Sequence, residues 1–215
     1  MMKQNNKIRW FEIGAVIITG IFKFLFVNVF NLQPVFIGAS ILFWGLYIGY
    51  RTSRNKNILK YWGFTKTHFY PAFKMAGLFA LICISIFAIN ALYNHYQLFN
   101  MHLFFVLLLY PVWGLIQQFM MMSLILGNLI DWSSNKNHEI IYILITSVMF
   151  SAVHFPSLIL MILTFILAIY YSLIFLKYRN LYPLGLFHGW IGGFFYYYVL
   201  HYDSWKEIIV PLFNF

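Results

Sequence analysis

Residues 111–123, PVWGLIQQFMMMS, read as an apolar helix interrupted by two adjacent amides, Gln117 and Gln118. The surrounding chain places those amides in a bilayer. It is 62% hydrophobic and 22% aromatic, with only 9% charged residues. Soluble domains carry about 25% charged residues, so this composition describes an all-α polytopic membrane protein and excludes a soluble enzyme. A polar group in hydrocarbon is costly without a partner, so amides at this depth need partners on neighbouring spans.

Working outward, apolar stretches occupy residues 10–30, 34–50, 69–92, 101–127, 140–155, 157–176 and 181–201. A span needs about 20 residues to cross a hydrocarbon core, which predicts about seven transmembrane helices, the fifth of them short and ended by Pro156. The first stretch is too long for a signal-peptide core and lacks a convincing small-residue cleavage site, so it is expected to be retained. Lys23 and Lys74 fall inside spans. The loop 51–66 is the most basic in the chain and is expected to hold a short interfacial helix, with Ile58, Leu59, Trp62 and Phe64 at the headgroup boundary. Seven spans put the N-terminus and the loops 51–66, 128–139 and 177–180 on one side. Those segments hold 11 of the 14 Lys and Arg residues. The positive-inside rule then places the N-terminus in the cytoplasm of a multi-pass cell-membrane protein, a single membrane domain over residues 1–215. The net charge of +9 is thus an orientation signal, and no nucleic-acid partner is expected. The tail carries Asp203, Lys206 and Glu207 and could re-enter the membrane or lie along its surface.

The polar inventory removes several chemistries. The five carboxylates, Glu12, Asp131, Glu139, Asp203 and Glu207, all sit at or near span ends. An embedded aspartyl dyad therefore has no residues to form it, and no HExxH zinc motif exists. A proton-coupled transporter would usually embed an acid. The single cysteine, Cys83, excludes an intrachain disulfide and a Cys-based metal site, and reads as a small buried hydrophobe. No metal or other cofactor is expected, and the anticipated partners are the lipid bilayer and a peptide or membrane protein.

His154 and His188 remain, in two later spans. Phe150 lies four residues before His154, and Gly192 four after His188, so each pair shares a helix face. Counting about 1.5 Å per residue puts Gln117 at about 16 Å depth, His188 at about 11 Å and His154 at about 22 Å. Helix tilt would have to bring them together. Each histidine alone reads equally as a hydrogen-bonded packing residue, and an intramembrane Gln as interhelical glue. All of them together, on separate spans, point to one internal site of Gln117, Gln118, His154 and His188.

The order of these residues resembles the CAAX-protease and bacteriocin-processing (CPBP, or Abi) family of intramembrane endopeptidases. That family carries EExxxR on one helix, FxxxH on the next and HxxxN or HxxxD two helices later. FSAVH at 150–154 matches the second motif in full, and HGWIG at 188–192 begins the third. WGFTKTHF at 62–69 and LYPLGLFHG at 181–189 resemble flanking family segments, so the likeness covers about residues 60–200. It implies a CPBP-like core formed by spans 4–7. Where the family has EExxxR this chain has QQFMMM: Gln117 and Gln118 stand for both glutamates and Met122 for the arginine, while Gly192 stands for the last Asn or Asp. By resemblance, Gln117 occupies the position of the base, His154 orients the attacking water and His188 holds the oxyanion.

A neutral amide cannot serve as a base, whose help is worth roughly 10²–10⁴-fold. A histidine could take that role, with Gln117 or Gln118 positioning the water. The family's second glutamate and its arginine, at the positions held here by Gln118 and Met122, would pair at i,i+4. Losing both leaves no stranded charge. The first expectation is a CAAX-protease-like peptide endopeptidase with a divergent active site. The alternative is a catalytically inactive pseudoprotease acting as a binding, bacteriocin-immunity or regulatory membrane protein. A small transporter or channel is disfavoured by the lack of embedded carboxylates and of paired broken helices.

Overall fold

The computed structural model describes residues 5–133, 138–206 and 210. Lys3, Lys136 and Glu207 lie outside them. The described chain is helical, with no strand among those residues. Helix α1 spans Asn6–Lys23 and continues as a π-helical segment, Phe24–Val29. It is followed by α2 (Gln33–Arg54), α3 (Asn57–Trp62) and α4 (Phe69–Tyr93). Helix α5 (Met101–Gln118) runs through a second π-helical segment, Phe119–Gly127, into α6 (Asn128–Trp132). Then come α7 (Glu139–Ala152), α8 (Leu158–Tyr178) and α9 (Leu181–Tyr198). Side chains of Asn5, Asn100, Ser157 and Asn180 accept backbone N–H bonds at the starts of α1, α5, α8 and α9. They satisfy donors that a helix start leaves free.

Each of the seven apolar stretches is helical. Five elements are long and apolar enough to cross a membrane: Asn6–Val29, Gln33–Arg54, Phe69–Tyr93, Met101–Trp132 and Leu158–Tyr178. Glu139–Ala152 is a shorter apolar helix. Helix α9 is the inner one, packed chiefly against α5 and α4, while α7 packs against α8. Large apolar side chains such as Leu46, Leu78, Ile89, Leu108, Ile140 and Leu158 are exposed on the outside. On a membrane protein that surface faces lipid, which makes no hydrogen-bonding demand.

The expectation for the 51–66 loop needs correction. Helix α3 is present, but Ile58 and Trp62 are only 1% and 0% exposed. The Trp62 ring lies 5.0 Å from Phe119 and 5.9 Å from Tyr47, and its carbonyl accepts the Ser123 hydroxyl. Packing between α2 and the π-helical segment buries more aromatic surface than a headgroup position would.

Charges gather at the ends. Glu12 is fully buried and accepts from Tyr47 (2.6 Å), Arg51 (2.8 Å) and Asn128 (2.7 Å). Arg179 pairs with Asp131 at 3.1 Å, and Arg9 donates to the Asp131 carbonyl at 3.0 Å. These bonds bring the starts of α1 and α9 and the ends of α2, α6 and α8 to one end of the bundle. At the other end His102 pairs with Asp203 at 2.7 Å.

Glycines set the α5–α9 distance. A Cβ on Gly189 would lie 2.5 Å from the Pro111 nitrogen, one on Gly185 2.6 Å from the Leu115 Cα, and one on Gly114 2.5 Å from the Gly185 carbonyl. The two backbones touch, an approach that only small residues permit between membrane helices. Trp190 reinforces it by donating to the Leu107 carbonyl at 3.0 Å. Gly189→Ala should therefore lower stability in detergent by about 1–3 kcal/mol or more, because backbone must move. Gly192→Ala, whose Cβ would meet only Tyr110 at 4.0 Å, should leave the melting temperature unchanged or slightly raised. Equal melting temperatures for the two variants would contradict this packing.

Candidate active site

Gln117 sits at the end of α5 and His188 midway along α9, so the glycine contact carries the two side chains together. His188 Nε2 lies 2.6 Å from Gln117 Oε1. The amide oxygen accepts, so Nε2–H donates and Nδ1 keeps a lone pair. That Nδ1 is buried and has no hydrogen-bond partner among the described residues.

His154 arrives differently. Helix α7 ends at Ala152, before Pro156, because the residue ahead of a proline disfavours helical geometry. His154 thus stands in the turn after the helix rather than on it. Its Nδ1 donates to the Phe150 carbonyl at 2.8 Å, which leaves Nε2 as the acceptor. The buried Phe150 ring separates the imidazoles, 5.1 Å from His154 and 5.4 Å from His188. The FxxxH spacing therefore acts through a wedge and a turn rather than through one helix face.

Gln117, His154, His188 and Gly192 all line a cavity of about 330 Å³, whose walls also include Gln33, Tyr110, Trp113 and apolar residues of α4 and α8. The depth difference counted along the chain does not keep them apart. Beside it, a second hollow of about 220 Å³ shares Gln33, Gln117 and His154 and adds Lys23 and Asn28. Lys23 donates to Asn28 Oδ1 at 3.1 Å and to the Phe155 carbonyl at 3.3 Å, next to His154. The only sequence signal for this was a lysine inside the first apolar run with an asparagine five residues on.

Gln118 lines neither hollow. It is 0% exposed, and its amide nitrogen and oxygen have no partner among the described residues. Adjacent helical residues point about 100° apart, so Gln117 and Gln118 could not both face the imidazoles. Met122 is also fully buried, in the π-helical segment, where its sulfur accepts from the Ser172 hydroxyl at 3.8 Å. Gly192 opens to the cavity, leaving room where a longer polar side chain would fit. None of the residues lining the cavity is a carboxylate.

Residues 99–194 match the family model described as type II CAAX prenyl endopeptidase Rce1-like. That core, residues 99–194, is similar to the CPBP endopeptidases. The match runs from just before α5 into α9, narrower than the 60–200 expected, and it contains Gln117, His154 and His188. No curated protein and no solved structure matches the chain.

The hydrogen bonds of this core fix opposite tautomers. Nitrogen NMR of histidine-labelled protein in its neutral state should find His154 protonated on Nδ1 and His188 on Nε2. The same tautomer at both positions would break this geometry.

Proposed function

We propose that this CAAX-protease-like membrane protein holds a peptide segment of a membrane-associated partner in the cavity without cutting it efficiently. The absence of any carboxylate among the cavity-lining residues carries this reading. Hydrolysis requires the attacking water to lose a proton, and neither Gln117 nor Gln118 can take it. Gln117 Oε1 is moreover committed to His188. Two imidazoles line the cavity, and their acceptor nitrogens, His188 Nδ1 and His154 Nε2, take no donor from the described residues. A peptide offers backbone N–H groups that suit such acceptors, and the apolar walls suit its side chains. Gln118 and Met122, buried and uncharged, fill the places of a Glu–Arg pair. Pseudoprotease roles that fit are bacteriocin self-immunity and regulation of a cell-envelope enzyme. The basic loops support a cytoplasmic N-terminus in the cell membrane.

A second reading rests on one specific feature. The free Nε2 of His154 could take the water's proton, with the Gln117 side-chain N–H, oriented by the bond to His188, as a donor to the oxyanion, giving a slow endopeptidase.

Cleavage separates the two. Wild type, His154→Ala and Gln117→Glu are incubated in detergent with membrane-anchored peptides, and products are read by mass spectrometry. Binding without cleavage predicts no products from wild type, and Gln117→Glu should gain activity by about 10²-fold over background if only the base is missing. Cleavage by wild type that His154→Ala abolishes would overturn the binding reading in favour of the slow enzyme.

A further inference from the structure

A third hollow, polar and of about 750 Å³, lies at the charged end of the bundle, away from the histidines. It is framed by the start of α1, by α3 with the loop after it, and by the turn between α8 and α9. Arg9, Lys60 and Arg179 face it, against a single carboxylate, Asp131. Arg179 is already committed, pairing with Asp131 and donating to the Tyr61 carbonyl at 3.0 Å. Arg9 is not. It is only 4% exposed, and the bonds it makes go to neutral oxygens, Asn6 Oδ1 and the Asp131 carbonyl. Its Nε is buried with no partner among the described residues. Lys60 makes no ion pair among the described residues. A buried guanidinium with an idle donor is costly unless something anionic reaches it.

The rim is built rather than loose. Asn180 donates to the carbonyls of Thr65 (2.7 Å) and Thr67 (2.9 Å), and Leu181 N–H donates to the Gly63 carbonyl at 2.9 Å. Those bonds pin the loop after α3 over the α8–α9 turn. The Thr67 side chain, with Thr65, lies on the hollow's wall beside the cations.

We propose that this hollow binds a phosphate anion, with Arg9 and Lys60 as its principal ligands. Arginine donors match phosphate oxygens in a fork, and lysine adds a point charge. A phosphate can come from an anionic lipid headgroup or from a soluble phosphate ester. The site is independent of the histidine cavity and of whether that cavity cuts peptides.

The test uses the full chain in nanodiscs of phosphatidylcholine with or without phosphatidylglycerol, followed by release into detergent and native mass spectrometry of retained lipid. Lys60→Gln removes a ligand from an exposed side chain, so folding is preserved. Lys66→Gln makes the same charge change in the same loop but does not line the hollow. Phosphatidylglycerol should be retained over phosphatidylcholine, and Lys60→Gln should weaken that retention roughly fivefold, with Lys66→Gln near wild type. Displacement of the lipid by millimolar glycerol phosphate would assign a soluble ester as an equally good ligand. Resistance to it would assign the headgroup. Equal retention of both lipids, or equal loss in the two lysine variants, would overturn the site.

Discussion

The backbone contact between α5 and α9 is the constraint on which this molecule depends. Lipid gives helices no hydrophobic reason to associate, so close packing and interhelical polar bonds must do it. Gly114, Gly185 and Gly189 remove the side chains that would hold the two backbones apart. Once they touch, the Trp190 indole reaches the Leu107 carbonyl and the Gln117 amide reaches His188. The cavity forms beside that seam, so packing and site have one origin.

Charge is arranged around the same seam. The interior near the histidines is neutral apart from Lys23 at the edge of the second hollow, and the bundle ends hold the carboxylates that the structure describes. Glu12 shows how an embedded acid is kept: three donors from α2 and α6 surround it. Gln118 shows the opposite case, a buried amide with nothing to bond to among the described residues. Each such orphan costs about 1–3 kcal/mol. Ionised glutamate at that position would cost far more without an arginine nearby, so the neutral set of Gln117, Gln118 and Met122 is electrically self-consistent.

Much of this was legible in the sequence, and what was not has physical causes. Apolar stretch lengths gave the helices, and the polar residues within them gave Gln117, His154 and His188. Depth counting put those three about 5–11 Å apart because it assumes straight helices with fixed ends. It cannot see that α7 stops at Ala152 and lets His154 swing in from a turn. Nor does periodicity reveal the π-helical segment Phe119–Gly127, which shifts the register just past Gln118. Trp62 looked interfacial because amphipathic composition is shared by boundary helices and by plugs. Lys23 against Phe155 and Arg9 over Asp131 join residues more than a hundred positions apart, and no local pattern encodes such pairs.

The most direct test is a double-mutant cycle on Gln117 and His188, with unfolding free energies measured for Gln117→Ala, His188→Ala and the pair. A hydrogen bond held across the glycine seam in a low-dielectric interior should give a coupling of about 1 kcal/mol or more. Additive losses, with no coupling, would mean that α5 and α9 do not bring these side chains together.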